Sequence, residues 1–238
     1  MSSEAPWRPR TLLDSKSGKG VGSSAFSLIF PKFVLGSPAT MRIILVHGYK
    51  ASPKSHFWPW LQRELTDKRY EVLMPELPLP ETPDRDTWTK ALLEAVGPLS
   101  DQDIIVGHSL GGAAALRLLE AAEARTTPHA CVLISTPWMI KDDRFRSFFL
   151  TELDHDVLMW RATKFVVVHA KDDTVIPVAH ADRYAQVFHA DLITPELGGH
   201  FDAAEQPAIL DAIVKIAEEP IIYAPGMSLA DEYADIIK

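Results

Sequence analysis

The sequence holds a single cysteine, Cys131, among 238 residues. An internal disulfide is excluded, and the apolar run Cys131-Val132-Leu133-Ile134 predicts a buried, inert thiol, in keeping with a reducing cytoplasm. No apolar stretch approaches the roughly 18 residues that a membrane span requires, so none is expected. Clustered Lys and Arg are also missing. With a formal net charge of -8, the chain is not expected to bind nucleic acid, whose phosphates are held through grouped basic residues. No His-Glu-x-x-His or similarly close set of ligands occurs, which argues against a metal hydrolase. Internal repeats, low-complexity tracts and a central linker are absent as well. The 47% hydrophobic and 24% charged residues are those of a globular protein with one core.

Residues 1–40 differ in texture from the rest of the chain. They are rich in Ser, Gly and Pro, with more basic than acidic residues, and their one apolar patch, 26–35, is broken by Pro31. An extension of uncertain structure is expected there. It lacks the basic start and unbroken apolar core of a secretory signal, while an organelle transit peptide stays open on composition. From Met41 on, short apolar runs alternate with helix-length amphipathic segments, the pattern of a parallel sheet with crossover helices. Strands are predicted at 42–46, 70–74, 103–106, 130–134, 164–169 and 190–194, and helices at 57–67, 84–96, 110–124, 179–188 and 203–217. The expectation is one α/β domain over 41–238 with a mainly parallel sheet of about six strands and helices on both faces. Within it, 218–238 forms a tail in which Pro225-Gly226 turns and Ser228 with Asp231 reads as a capping box.

The stretch Gly107-His108-Ser109-Leu110-Gly111-Gly112 follows the apolar run Ile104-Ile105-Val106 and leads into Ala113-Ala114-Ala115-Leu116. A Gly-x-Ser-x-Gly match between strand and helix places the serine on a tight, strained turn, with its hydroxyl clear of the sheet. Small flanking residues are a steric need of that turn. The N–H of Leu110 starts the helix and points where a negative oxygen would develop during acyl transfer. The loop after the first strand, His47-Gly48-Tyr49-Lys50, offers the N–H of Tyr49 as a second donor, with His47 bracing the loop.

A serine hydroxyl needs a base, and the base an orienting carboxylate, in the chain order Ser, acid, His. Asp173 is the expected acid: it follows a strand and stands four residues before Pro177, with Asp172 as the fallback. His200 is the expected base, since of the nine histidines it alone follows a late strand, in Leu197-Gly198-Gly199-His200-Phe201. His180 and His189 read as surface residues on a helix, His129 and His155 as parts of polar connections. His108 is expected to point away from its neighbour Ser109.

These residues resemble the α/β-hydrolase superfamily, and within it the small serine hydrolases of the retinoblastoma-binding protein 9 type. The likeness runs from Met41 to about Ala217. It covers the strand before His47, the region of Trp58, the Pro78-Leu79-Pro80 loop with Trp88, the elbow at Ser109, the Asp172-Asp173 pair and Gly198-Gly199-His200-Phe201. It implies an α/β-hydrolase fold with a short cap and hydrolysis of small carboxylic esters or related acyl substrates through Ser109, Asp173 and His200, without metal or organic cofactor. Cys131 does not sit in a Leu-x-Cys-x-Glu segment, so retinoblastoma binding does not carry over. Thioesterase, amidase or peptidase action would use the same parts. Two further readings are an acyltransferase using this triad and a catalytically weak binding protein that keeps the fold. The expected partner is a small acyl substrate, and the expected state a monomer or homodimer. The segment 136–163 lies where a cap belongs. Its Trp138, Met139, Phe145, Phe148, Phe149 and Trp160 either wall an acyl pocket or hold the segment on the core.

Overall fold

The computed structural model describes residues 40–122 and 127–221. The apolar patch 26–35 and the turn and capping box of the tail lie outside the described residues, while the helix predicted at 110–124 stops at Ala121, with Ala122 extended as its cap. Six strands, β1 (Arg42–Val46), β2 (Glu71–Leu73), β3 (Asp103–His108), β4 (Ala130–Ile134), β5 (Phe165–Val168) and β6 (Asp191–Ile193), form one sheet in the order β2-β1-β3-β4-β5-β6. Every pairing is parallel, so the sheet predicted as mainly parallel is wholly so.

Alternation along the strands supplies both faces of the sheet. Ile43, Leu45, Ile104, Val106, Val132, Ile134, Val166 and Val168 meet helices α1 (Trp58–Asp67) and α7 (Pro207–Glu218). Ile44, Val46, Ile105, Cys131, Leu133 and Val167 meet α2 (Arg85–Val96), α3 (Leu110–Ala121) and α6 (Ala179–Phe188). Helix α3 is buried from Leu110 to Leu119, which is why its sequence is apolar all round rather than striped.

The short elements α4 (Arg146–Phe149) and α5 (His155–Leu158), preceded by a 3-10 turn at Asp143–Phe145, form the segment over α3. Phe145 and Phe148 are buried in the core and anchor it, whereas Trp160 is 75% exposed. The buried Arg117 of α3 ties the same segment down through the carbonyls of Phe148 and Thr151.

Several boundaries depart from the sequence reading, three of them for identifiable reasons. Strand β3 continues to His108 because Gly107 and His108 pair with Leu133 and Ile134 of β4. Helix α7 starts at Pro207 instead of 203, proline being suited to a first helical turn where no N–H is needed. Helix α2 starts at Arg85 because the Asp84 side chain caps it, accepting from the Thr87 N–H at 3.0 Å. His129, expected in a polar connection, is buried and donates from Nε2 to the Ile216 carbonyl at 2.9 Å. No helix among the described residues is long and apolar enough to cross a membrane.

Candidate active site

In a parallel sheet the loops at the carboxyl ends of the strands converge, and a crevice opens where the strand order reverses, here between β1 and β3. Ser109 follows β3 at that point. Its backbone has φ 54° and ψ -128°, a conformation costly for a residue with a Cβ. Two hydrogen bonds hold it there: its N–H donates to the Ile134 carbonyl at 2.8 Å, and its carbonyl accepts from Gly112 N–H at 2.9 Å. Close packing fixes the elbow from behind. A Cβ on Gly111 would stand 2.3 Å from the Val46 carbonyl oxygen, so only glycine fits between α3 and β1.

Ser109 Oγ lies 3.0 Å from His200 Nε2, and His200 Nδ1 lies 2.9 Å from Asp173 Oδ2. Asp173 is ionised and can only accept, so Nδ1 carries the proton and Nε2 is left as acceptor for the serine O–H. Although burial opposes its charge, the Asp173 carboxyl is held well below the usual carboxylate range by His200 and by backbone donors. The N–H groups of Val175 and Ile176 donate to its Oδ1 at 2.8 and 2.9 Å. The Ser135 hydroxyl is buried nearby and adds to this field without meeting the geometry of a hydrogen bond. His169, also buried, donates from Nε2 to the Ile176 carbonyl at 2.8 Å and stands 3.5 Å from Asp173 Oδ2.

Both acids of the pair serve the His200 loop in different ways. Asp173 faces the imidazole, while Asp172 accepts the Gly199 N–H at 2.7 Å and leaves the ring alone. His108, expected only to point away from Ser109, holds the His200 loop. Its Nε2 donates to the His200 carbonyl at 2.8 Å, and its ring packs edge-on against Phe57 and Trp58. Burial, reinforced by nearby His200, lowers its pKa to about 3 and keeps it neutral. Nothing in the sequence marks this bracket, because the two residues are 92 positions apart.

The loop after β1 packs directly on the elbow. A Cβ on Gly48 would lie 3.1 Å from Ser109 Cβ and 3.4 Å from the Leu110 nitrogen, so glycine keeps that approach open. His47 braces the loop: its Nε2 accepts the Leu77 N–H at 3.0 Å, leaving Nδ1 to donate to the Gly48 carbonyl at 3.1 Å. The Lys50 N–H donates to Pro80 at 3.0 Å, so the proline-rich loop is bonded at both ends. Trp88 Nε1 donates to the Pro78 carbonyl at 2.7 Å. The Tyr49 ring is clamped by Phe145, one of the aromatic residues expected in the cap, and by Arg144, which the sequence did not single out. Phe145 packs edge-on at 4.9 Å, and Arg144 Nη1 donates to its hydroxyl at 3.2 Å. Among the described residues no cluster of His, Cys, Asp and Glu suited to a metal ion occurs.

A parallel sheet in this order, with a strained serine at the crevice and an acid and a histidine on later loops, defines the α/β-hydrolase fold. Residues 43–216 match the serine hydrolase family, and the chain belongs to that family. It is similar to YdeN of Bacillus subtilis (strain 168), with 29% identity over 167 residues, 68% of this chain and 86% of that one. The crystal structure of the B. subtilis ydeN gene product superposes with a TM-score of 0.72 at 26% identity, covering 76% of this chain and all (100%) of the other. Est1E from Butyrivibrio proteoclasticus shares the fold at 15% identity and a TM-score of 0.57, over 76% of this chain and 89% of its own. So does a pyrethroid hydrolase from Sphingobium faniae JZ-2, at 17% identity and 0.56, over 76% and 98%.

Proposed function

We propose that the protein is a serine hydrolase that cleaves small carboxylic esters or related acyl compounds through Ser109, His200 and Asp173. The observation that carries this is the unbroken chain of contacts from Ser109 Oγ through both nitrogens of His200 to Asp173. In the first half-reaction His200 Nε2 takes the Ser109 proton as the oxygen attacks the acyl carbonyl. The N–H groups of Tyr49 and Leu110 receive the negative oxygen; no backbone hydrogen bond engages either among the described residues. Collapse breaks the bond to the leaving group, which departs with the proton from His200. Water, deprotonated by His200, then attacks the acyl-serine and releases the acid, restoring the Ser109 hydroxyl. No metal or organic cofactor enters these steps.

The hydrogen bond between Trp88 and Pro78 supports the narrower likeness to small hydrolases of the retinoblastoma-binding protein 9 type, because it joins the two features that carry that likeness. The buried single thiol of Cys131 suits a cytoplasmic setting. A cap built of two four-residue helices favours short acyl chains over long lipids. The test is hydrolysis of p-nitrophenyl butyrate. Ser109→Ala and His200→Ala are each expected to lower kcat/KM by about a thousandfold or more. Undiminished turnover by either variant, or a preference for long-chain esters, would overturn the corresponding part of the reading.

A further inference from the structure

Between the cap segment and α6 the surface opens into two adjoining hollows that share Trp138, Met139 and Arg183. The inner one, about 270 Å³, has Ala113 in its lining. Ala113 is four residues beyond Ser109, which at a rise of about 1.5 Å per residue puts its backbone roughly 6 Å along α3 from that of the nucleophile. The outer one, about 510 Å³, is lined by Trp138, Met139, Lys141, Ala179, His180 and Arg183.

The polar chemistry of the outer hollow is one-sided. Neither Lys141 nor Arg183 has a carboxylate within ion-pair distance among the described residues, and no acidic side chain lines the hollow. Arg183 lies 5.3 Å from the Trp138 ring and donates from Nη1 to the Gln186 amide oxygen at 3.3 Å. His180 accepts the Trp138 N–H on Nδ1 at 2.8 Å, so its neutral ring presents Nε2 as a further donor. In a chain of formal net charge -8, an apolar wall of Trp138 and Met139 beside donors alone fits a methylene chain or ring that ends in an anion. We infer that this hollow is a subsite for a carboxylate on the end of the substrate remote from the reacting carbonyl. The assignment rests on the hydrolase reading for its connection to Ser109, and narrows the substrate class to acyl compounds that carry a negative charge.

The test measures binding apart from turnover, by calorimetric titration of the full-length Ser109→Ala chain. Two matched pairs serve as probes: the phenyl half-ester of glutaric acid against phenyl pentanoate, and 3-(butanoyloxy)benzoate against phenyl butyrate. The acid lies in the acyl part of the first pair and in the alcohol part of the second. The anionic member of at least one pair is expected to bind about fivefold more tightly, the size of two solvent-screened ion pairs. Raising the salt should shrink the difference. Lys141→Ala and Arg183→Ala together should abolish it, whereas Lys215→Ala, on α7 across the sheet, removes one charge and should not. Equal binding within both pairs, or a preference that survives the double substitution, overturns the subsite. If the preference is present but the unsubstituted chain cleaves none of the four esters, the hydrolase reading fails while the anion site stands.

Discussion

Asp172 and Asp173 are adjacent, yet one holds a ring and the other a backbone N–H. Asp173→Asn should lower kcat by about three to four orders of magnitude, since the imidazole loses the partner that fixes its tautomer. Asp172→Ala only frees Gly199, and should lower kcat about tenfold with KM little changed. Comparable losses in both variants would mean that Asp172 can take the acid's role. His108 gives a stability prediction. Its folded pKa of about 3 lies below the value near 6.5 of the unfolded chain, so the unfolded state binds the extra proton first as pH falls. Its contribution is complete above about pH 6.5 and is lost on acidification, by about 2 kcal/mol at pH 5. Urea unfolding at pH 7 and pH 5 should show that loss in the native chain and a smaller one in His108→Asn; equal losses would contradict it. At this scale the sequence was legible where chemistry is local, as in the Gly-x-Ser-x-Gly turn and the acid four residues before Pro177. The His108 bracket and the Arg144 clamp on Tyr49 span 92 and 95 positions and leave no local trace.

Strands and helices divide the labour by edge. The carboxyl ends of β1, β3, β5 and β6 lead into the loops of the site, while the first residues of β1 and β3 do structural work. At that opposite edge Arg42 of β1 and the fully buried Asp103 of β3 pair at 2.7 Å, and Asp103 also accepts the Ser100 N–H at 2.6 Å. Removing the acid strands a partly buried guanidinium. Asp103→Ala should therefore cost about 3 kcal/mol in urea unfolding while leaving kcat/KM on a short ester within about twofold. A large loss of activity without loss of stability would contradict this division. Element types followed from hydrophobic period, because buried parallel strands and amphipathic helices differ in spacing. Boundaries did not, as β3 shows: its last two residues are ordered by β4 and not by their own composition. The cap was ambiguous for the same reason. Phe145 and Phe148 are core and Trp160 is solvent-facing, although all three are equally apolar in sequence.

Across the whole molecule, the sheet order brings the loops of Ser109, Asp173 and His200, separated by up to 91 positions, onto one crevice, where the proposed reaction forms a covalent acyl-serine. The alternation of strands and helices predicts the parallel sheet, but its strand order and the subsite chemistry beside α6 depend on tertiary contacts that the sequence does not display. The most direct measurement is the intact mass of the native chain after exposure to a fluorophosphonate, with peptide mapping of the adduct. A single adduct on Ser109 is expected, absent in Ser109→Ala and strongly slowed in His200→Ala. A folded native chain that takes up no label, or an adduct that persists in Ser109→Ala, would contradict it.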